Sequence, residues 1–320
     1  MMNHNQSNKT DTSSQAPELS IVVTIVSGAK HLEACLSALL AQEYYTPTSV
    51  EIIVPHDQRD EKIALLKTKF SDVIFDPVVL LVEGPPGLCH EHFDQLRSVG
   101  LHLSRGSIVA MLEDHEILDA NWCKNMLSAH KSLDHAAIGG AVENDIDKAL
   151  NWATYFFDFG RYQNPVVQGP SLYLTDVNVA YKQAALNKIK DVWAHNFHEP
   201  GVHGALMDRG ETLWLSPDII TYQHRSDLSL SYVIKERYVW GRYFSGKRIE
   251  KANLTTRAFF CLASLAVPAI ILMKRFRDVL RKKRHVKTFL KVLPVTVVLT
   301  LCWSAGEFVG YFTGRPSSLE

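Results

Sequence analysis

The sequence predicts an α/β domain with a mainly parallel sheet, followed by a C-terminal region of apolar and basic helices. Short β-branched apolar runs alternate with segments of helical periodicity over the first third of the 320 residues. This alternation is typical of a parallel sheet covered by helices. Apolar residues make up 46% of the chain and charged residues 21%, which excludes a disordered or fibrous protein.

The predicted elements follow from this alternation. Residues 19–26 form a β-branched run typical of a buried parallel strand, and leucines at helical spacing come after it. The predicted segments of the first half are the strands 19–26, 50–54, 75–82 and 107–112 and the helices 31–42, 61–70 and 91–104. A breaker, Gly84-Pro85-Pro86-Gly87, closes the third strand. The predicted segments of the second half are the short strands 137–142, 177–181 and 212–215 and the helix 228–246.

The ends of the chain differ in composition from its body. Residues 1–17 are polar and rich in Ser, Asn and Thr, so we expect a disordered tail and no signal peptide. The predicted α/β domain then covers 18–246, and a basic, apolar region covers 247–320. The five cysteines are scattered and form no Cys-x-x-Cys pair, which favours reduced thiols in the cytosol.

The formal charge of zero hides an asymmetry. The whole chain has 34 Lys or Arg and 34 Asp or Glu. Between Lys235 and Lys291, however, 16 Lys or Arg stand against three acids. An acidic body joined to a basic C-terminal section indicates an anionic partner at one end, either lipid or nucleic acid.

Three ionisable residues follow the fourth predicted strand directly. Ligands of such sheets bind beyond the carboxyl ends of the strands, where Glu113, Asp114 and His115 lie. Carboxylates at the tip of a buried strand cost free energy unless they meet a cation or a hydrogen-bond donor. Because side chains alternate along a strand, Glu113 and His115 can face the same side and share one metal ion. A capped strand–helix turn would explain the same residues.

These motifs, in their order, resemble those of the family 2 glycosyltransferases, which have the GT-A fold. The segments that carry the resemblance are 19–28, 51–57, 97–115 and 139–143. It implies that Asp57 holds the nucleobase of a nucleotide-sugar donor and that Glu113-Asp114-His115 replaces the Asp-x-Asp motif. The chain departs from the family at Gln58 and Arg59, where glycine and serine are usual, and at Ser98, where asparagine is usual.

The resemblance also implies a divalent metal cofactor, Mn²⁺ or Mg²⁺. A cation offsets the negative charge on the departing nucleoside diphosphate, and an imidazole ligand shifts the preference toward Mn²⁺. Glu113 and His115 are the expected metal ligands. His224, which follows a predicted strand, is the expected further ligand, although an unrelated surface histidine would look the same.

The other candidate site residues come from the same resemblance. Glu199, the first acid of a predicted helix, matches the general base that takes the acceptor proton. A glutamate there would also stabilise the helix dipole. The expected donor-binding residues are Ser27, Asp57, Arg97, Asp114, Asn178, Arg237 and Arg242. Arg237 and Arg242 suit contact with a diphosphate and contact with anionic lipid equally well. The aromatic run 152–162 is compatible with acceptor binding, a core helix or membrane contact.

Two apolar stretches close the chain. Residues 258–273 are uncharged and would form a helix of ~24 Å, shorter than the ~30 Å hydrocarbon core. Residues 289–312 are longer but include Lys291 and Glu307, and the segment 274–287 between the stretches has eight Lys or Arg and one Asp. The positive-inside rule keeps that segment in the cytosol, where the nucleotide-sugar supply also lies.

We therefore expect a monotopic or re-entrant attachment to the cytoplasmic face of the cell membrane, with the basic segment on anionic membrane lipid. A two-span hairpin is the alternative. Nucleic acid is not an expected partner, because apolar runs flank the basic segment on both sides.

The sequence thus predicts a membrane-associated, metal-dependent, inverting glycosyltransferase of the hexosyltransferase type. It would move a sugar from a nucleotide-sugar donor to a lipid-linked or surface-polysaccharide acceptor, because membrane attachment favours such acceptors. One alternative is a catalytically degenerate nucleotide-sugar-binding or scaffold protein, in view of Gln58, Ser98 and Glu113. The other is a processive polysaccharide synthase component, against which the presence of only two apolar segments argues.

Overall fold

The computed structural model describes residues 16–81, 88–250 and 252–315. The predicted breaker at 84–87 and nearly all of the predicted disordered tail lie outside the described residues. The strands are β1 Leu19–Thr24, β2 Val50–Asp57, β3 Val73–Val78, β4 Ile108–Glu113, β5 Glu116–Leu118, β6 Ala137–Asn144, β7 Gly169–Pro170, β8 Val179–Lys182 and β9 Leu213–Gln223. The helices are α1 Ala29–Leu40, α2 Glu61–Lys69, α3 His90–Leu103, α4 Trp122–Ser132, α5 Ala149–Asp158, α6 Gln183–Asn187, α7 Lys190–Trp193, α8 Glu199–Asp208, α9 Leu230–Arg248, α10 Leu254–Ala263, α11 Val267–Lys282 and α12 Val286–Thr313.

The strands form one mixed sheet in the order β3-β2-β1-β4-β8-β6-β9-β5, with β7 also paired to β9. β1 pairs in parallel with β2 and β4, β2 with β3, and β6 with β9. β8 runs antiparallel to β4 and β6, as β5 and β7 do to β9. Within the described residues, six strands thus share one direction. The predicted α/β architecture with a mainly parallel sheet is confirmed, and the carboxyl ends of β1, β2 and β4 meet at one edge.

Both faces of the sheet are covered, as the apolar strands predict. Ile21 and Val23 of β1 pack in a buried cluster with side chains of α1, α2 and α4. Val22, between them, belongs to a second buried cluster with side chains of α3 and α8. Alternation along a single strand therefore supplies both layers of the core.

The predicted elements exist, but two of them, β3 and β9, differ clearly in extent. β3 ends at Val78 instead of continuing toward 82, because the Gln95 side-chain amide bonds the backbone of Val79 and Leu81 in place of a neighbouring strand. β9 runs to Gln223 instead of ending at 215, because its pairing with β6 resumes after an irregularity that contains Pro217. The short strands β5 and β7 have no counterpart among the predicted elements.

The aromatic run at 152–162 forms most of α5 and belongs to the core. Tyr155 and Phe156 are fully buried. The Phe156 ring meets Phe289 of α12 edge-on, with the centroids 5.0 Å apart. This run therefore joins the α/β body to the C-terminal helices.

The C-terminal helices form two layers on α9. α12 packs along α9, and the segment from α10 through the 3₁₀ turn Ser264–Ala266 to α11 lies antiparallel along α12. At one end Arg257 Nη2 donates to the Phe312 carbonyl at 2.8 Å, and in the middle Ser304 Oγ donates to the Ser264 carbonyl at 2.6 Å. The expected domain boundary at 246 falls inside α9, which ends at Arg248.

Glycines allow α9 and α12 to approach closely. A Cβ atom at Gly306 would lie 2.0 Å from the Tyr238 carbonyl oxygen, and one at Gly241 would lie 2.3 Å from the Trp303 carbonyl oxygen. Both contacts are with backbone atoms, which cannot rotate away. The close packing of these two helices therefore depends on the absence of side chains at these positions.

Substitution Gly306→Ala should destabilise the protein, because its methyl group would force α9 and α12 apart. We expect a loss of about 1–3 kcal/mol in the free energy of unfolding, measured by urea denaturation. Gly204→Ala in α8 is the matched control, since a Cβ there meets nothing within 4 Å. Replacing this helical glycine should leave stability unchanged or raise it by up to about 1 kcal/mol. Equal behaviour of the two variants would contradict the packing argument.

Candidate active site

A cavity of about 790 Å³ opens at the carboxyl edge of β1 and β2. Its wall includes the turn between β1 and α1, Asp57 at the end of β2, His92 and Phe93 of α3, and Arg225 beyond β9. Its size is typical of a pocket for a small ligand. Its position is where ligands of sheets of this type bind.

The turn between β1 and α1 is held by Asp114. Both carboxylate oxygens of Asp114 accept from the backbone N–H of Ser27, at 2.9 and 2.8 Å, and one also accepts from Gly28 N–H at 2.6 Å. Gly28 has a φ of 99°, a conformation that favours glycine. Asp114 is fully buried, so it stabilises the start of α1 and shapes the cavity wall without lining the cavity.

Arg97 of α3 connects three acids. One of its terminal nitrogens, Nη2, lies 2.7 Å from Glu113 Oε1 and 2.7 Å from Asp176 Oδ2. The other, Nη1, lies 3.6 Å from Asp94 Oδ1. Arg97 is 1% exposed, so a single buried cation holds together acids from α3, from the end of β4 and from the loop before β8.

One guanidinium cannot keep all these carboxylates ionised at no cost. Burial and the neighbouring Asp176 raise the pKa of Glu113, and burial also raises the pKa of Asp176. Burial raises the pKa of Glu116 strongly as well. This part of the protein therefore carries more buried acids than basic partners, and a proton or a bound cation would relieve the excess.

His115 lies beside this cluster as a neutral ring. Burial lowers its pKa. Its Nδ1 atom is 3.1 Å from Ser27 Oγ and 3.4 Å from Asp114 Oδ1, while its Nε2 atom is 3.4 Å from Glu113 Oε2. The nearby carboxylate of Asp114 favours the hydrogen on Nδ1. Nε2 then presents its lone pair toward Glu113.

Glu113 and His115 fit a divalent cation as two of its ligands. A spacing of 3.4 Å between Oε2 and Nε2 suits two bonds of about 2.1 Å to one ion. No group of three or more His, Cys, Asp or Glu within 16–81, 88–250 and 252–315 could hold a metal. Diphosphate oxygens and water would have to complete the coordination, as is common for Mg²⁺.

Glu199 lies on the other side of Asp176. Its Oε2 accepts from the Asp176 backbone N–H at 3.1 Å, and its Oε1 is 3.3 Å from Nδ1 of His203, one turn further along α8. Because Asp176 also contacts Arg97, a chain of contacts leads from Glu113 to Glu199. The sequence-predicted residues Glu113, His115, Asp114, Ser27, Arg97 and Glu199 are therefore brought together.

Asp57 lines the cavity, and Arg59 binds its carboxylate. Arg59 Nη2 is 2.7 Å from Asp57 Oδ2, and its backbone N–H donates to Oδ1 at 3.0 Å. The side-chain hydrogen bond from Arg59 lowers the pKa of Asp57. Arg59, a departure from the family pattern, thus holds the residue expected to bind the nucleobase.

Four further sequence-predicted residues are held by partners outside the cavity lining. The His224 ring contacts Asp145 Oδ2 at 2.5 Å, and the Asn178 amide is buried between Trp122 and backbone carbonyls of β6 and β9. Arg237 pairs with Glu236 and Asp158, and Arg242 lies on the face of α9 that packs against α12. None of the four lines the cavity. Ser27 and Asp57 line it, whereas the cluster of Glu113, His115, Arg97 and Glu199 is not part of its lining.

Arg225 is a cavity residue that the sequence interpretation missed. It is 3% exposed, lines the cavity and pairs with Glu236 of α9 through Nη2 at 2.7 Å. It directly follows His224, the residue that the sequence interpretation singled out in this segment. A shift of one residue at the end of a strand changes which side chain faces the ligand edge, and composition alone did not distinguish the two.

Comparisons with known proteins find similarity among solved structures. No protein-family model and no curated protein sequence matches the chain. The chain is similar to the mannosyltransferase PcManGT from Pyrobaculum calidifontis in complex with GDP-Man and Mn²⁺, at 12% identity and a TM-score of 0.46, covering 94% of this chain and 75% of that one. It is also similar to S. aureus TarS 1-349 in complex with UDP-GlcNAc, at 12% identity and a TM-score of 0.47, covering 93% and 92%. At these values the similarities assign no residue role and no activity to this chain.

Substitution Arg97→Met should strongly destabilise the protein at pH 7, because it leaves several buried carboxylates without their cation. We expect a loss of about 3–5 kcal/mol in the free energy of unfolding, measured by urea denaturation. The loss should shrink at pH 5. Acids whose pKa is raised in the folded state gain stability as the pH falls through that pKa, because they then take up protons.

Lys131→Met provides the control for this pH dependence. Lys131 pairs with Glu18 at 3.0 Å, and both side chains are largely exposed. Its loss should cost at most about 1 kcal/mol. An Arg97→Met effect of the same size at pH 5 and pH 7 would contradict the role of Arg97 as counter-charge.

Proposed function

We propose that the protein is a membrane-associated, inverting glycosyltransferase of the family 2 type, which takes a sugar from a nucleotide-sugar donor. One observation carries the proposal. A cavity of about 790 Å³ at the carboxyl edge of the sheet adjoins a buried cluster in which Arg97 links Glu113 to Asp176, which in turn contacts Glu199. The cavity suits a nucleotide, and the cluster supplies the acids that sugar transfer needs.

In this proposal the donor lies in the cavity with its base toward Asp57 and its diphosphate toward Arg225. Asp57 is an acceptor for base or ribose hydrogens, and Arg59 must share it with the donor. Arg225 offers a guanidinium, which suits phosphate oxygens. It takes the role first given to Arg237 and Arg242. Ser27 contributes to the wall between the two ends of the donor.

The proposed metal ligands are Glu113 and His115. Mn²⁺ or Mg²⁺ held by Glu113 Oε2 and His115 Nε2 would supply positive charge to the leaving diphosphate. The acids buried around Arg97 outnumber their basic partners, and a lone pair of His115 faces Glu113. Both features favour a bound cation between Glu113 and His115. His224 is not included, because its ring is bonded to Asp145.

Glu199 is the proposed general base. A hydroxyl of the acceptor loses its proton to the Glu199 carboxylate while its oxygen bonds the anomeric carbon of the donor sugar. The bond from that carbon to the diphosphate oxygen breaks with its electron pair, so configuration inverts. Burial alone would raise the pKa of Glu199, but hydrogen bonds from His203 and the Asp176 backbone and the charge of Arg97 outweigh it, so the pKa is lowered. The carboxyl group is therefore ionised at neutral pH, as a general base must be.

The C-terminal helices are the proposed membrane attachment. We propose that both apolar segments, α10 to α11 and α12, lie along the membrane surface. Leu254–Lys282 and Val286–Thr313 are each long and apolar enough to cross a membrane. α12, however, packs along α9, whose charged residues include Lys235, Glu236 and Lys247. Crossing would carry these charges into hydrocarbon at a cost of several kcal/mol. An in-plane arrangement avoids that cost.

The surface offered to the membrane is the outer side of α10 and α11, which we call the outer helical face. Large apolar side chains on it are more than 60% exposed, namely Phe259, Leu262, Leu265 and Met273. Arg275 donates to the Phe157 carbonyl in the last turn of α5, Lys282 donates to the Arg161 carbonyl beyond it, and Arg284 pairs with Glu143. The other basic residues of 274–287 are those proposed to meet anionic headgroups, at about 1 kcal/mol each. Membrane attachment favours a lipid-linked or polysaccharide acceptor at the cytoplasmic face.

Purified protein should release nucleoside diphosphate from a nucleotide-sugar in the presence of Mn²⁺. A set of UDP- and GDP-sugars, including UDP-GlcNAc and GDP-mannose, is incubated with the full chain in detergent, with Mn²⁺ or with EDTA. EDTA and the variant His115→Ala should each lower the release at least tenfold, and Glu199→Gln should lower it about 10²–10⁴-fold. Glu211→Gln, in the exposed pair with Lys188, is the matched control and should retain activity.

Two results would contradict this proposal. Thermal stabilisation by a nucleotide-sugar without release under any metal would support a binding protein without turnover. A polymeric product from purified enzyme would support a processive synthase.

The full chain should float with lipid vesicles that contain about 30% phosphatidylserine and should float less with neutral vesicles, because both apolar contact and basic charge contribute. The double variant Phe259→Asp with Leu262→Asp should lose at least tenfold in vesicle affinity. Leu65→Asp is the matched control, because Leu65 on α2 is also 71% exposed. Equal flotation of all three proteins would contradict the assignment of the outer helical face.

A further inference from the structure

We propose that His203 is the positioning residue for the base Glu199, and that the Tyr181 hydroxyl fixes His203 in the tautomer this requires. The inference rests on the proposed function, because it concerns the same carboxylate. It adds two residues, neither of which the sequence interpretation had singled out. Together we call Glu199, His203 and Tyr181 the base relay.

The helix places the first two members of the relay on one face. Glu199 begins α8, and His203 follows four residues later, so their side chains lie one above the other. The His203 side chain is 4% exposed and that of Glu199 is 20% exposed. The carboxylate is therefore partly exposed, while the ring is enclosed behind it.

In the neutral form of His203, the hydrogen bonds of the relay run in one direction. Glu199 Oε1 is 3.3 Å from His203 Nδ1, and an ionised carboxylate only accepts. Nδ1 therefore carries the hydrogen and Nε2 has a lone pair. Tyr181 Oη lies 2.8 Å from Nε2 and donates to it. The same logic of a third group that fixes a histidine tautomer applies to acid–base sites in general.

The second oxygen of Glu199 is located independently. Oε2 accepts from the Asp176 backbone N–H at 3.1 Å. With one oxygen held by a backbone donor and the other by His203, the carboxylate has a defined plane. A defined plane matters because a base must lie within hydrogen-bond reach of the proton that it takes.

The groups that face Glu199 show why the donor from His203 is needed. Asp176, from the loop before β8, adds a negative charge, and burial also disfavours the carboxylate. Arg97 of α3 acts in the opposite direction, but it is shared with Glu113, Asp176 and Asp94. Tyr162 and Tyr181 are neutral at pH 7 like any tyrosine, and burial raises the pKa of each hydroxyl further. His203 is therefore the side chain whose hydrogen bond is given to Glu199 alone.

The direct test measures the ionisation of Glu199 without any substrate. The full chain is labelled with glutamate carrying ¹³C at the carboxyl carbon, and the Glu199 signal is identified by its disappearance in Glu199→Gln. In His203→Leu, which removes the donor, the titration midpoint of Glu199 should rise by about one pH unit or more. In His203→Asn, whose amide nitrogen can take the place of Nδ1, it should remain within about half a unit of wild type.

Two further variants keep the test decisive. Tyr181→Phe removes only the hydroxyl that fixes the tautomer, and it should raise the titration midpoint of Glu199 by less than His203→Leu does. This variant provides the test if His203→Leu does not fold. His130→Leu is the matched control, because His130 is also buried but lies on α4, away from the relay, and it should leave the midpoint unchanged. A midpoint that is unchanged in both His203→Leu and Tyr181→Phe overturns the inference.

The pH profile of nucleoside diphosphate release supplies the second readout. Glu199 works as a carboxylate, so a raised midpoint moves the acid limb of the profile to higher pH. One unit below the wild-type limb, His203→Leu should be about tenfold slower than wild type, and the two should converge at high pH. A uniform loss at every pH would point to a structural role and overturn the inference. Wild-type protein that releases no diphosphate would contradict the proposed function alone, whereas the carboxyl titration would still decide this inference.

Discussion

The buried guanidinium of Arg97 is the interaction on which the candidate site depends. It lies between acids from α3, from β4 and from the loop before β8, so it links the end of the sheet to the loop that contacts Glu199 at the start of α8. A cation shared by three carboxylates leaves negative charge uncompensated. The site is therefore suited to bind another positive group. The same guanidinium determines both the charge of the site and the positions of its acids.

α9 connects this site to the C-terminal helices. Near its start Tyr232 lines the cavity and Glu236 holds Arg225, while Tyr243 donates to Asp94 at 2.5 Å. The glycines of the α9–α12 contact lie on the same helix. Of the helices proposed to lie on the membrane, α12 thus packs directly against the helix that helps build the cavity.

Much of this fold follows from pattern, because buried parallel strands and amphipathic helices have periodicities that can be counted. The edge at which Ser27, Asp57 and Glu113 meet follows from strand direction, and so was predictable. The roles of individual side chains were harder to predict. The sequence interpretation named His224 instead of its neighbour Arg225, and Asn178 instead of Asp176 two residues before it. Choosing between near neighbours requires the exact end of a strand and the identity of the tertiary partners. Likewise, the predicted helix 228–246 and the two predicted apolar stretches form one layered packing of α9, α12 and α11, which only long-range contacts define.

Asp114 illustrates a different use of an acid in a ligand-binding region. By accepting from the N–H groups of Ser27 and Gly28, it completes the β1–α1 turn from within the protein. The wall of the cavity is then already ordered when a ligand arrives, and association need not immobilise it at about 0.5–1.5 kcal/mol per side chain. Selectivity among ligands would accordingly come from the side chains that contact the ligand. The β1–α1 turn would act as a rigid template that has the same shape for every ligand.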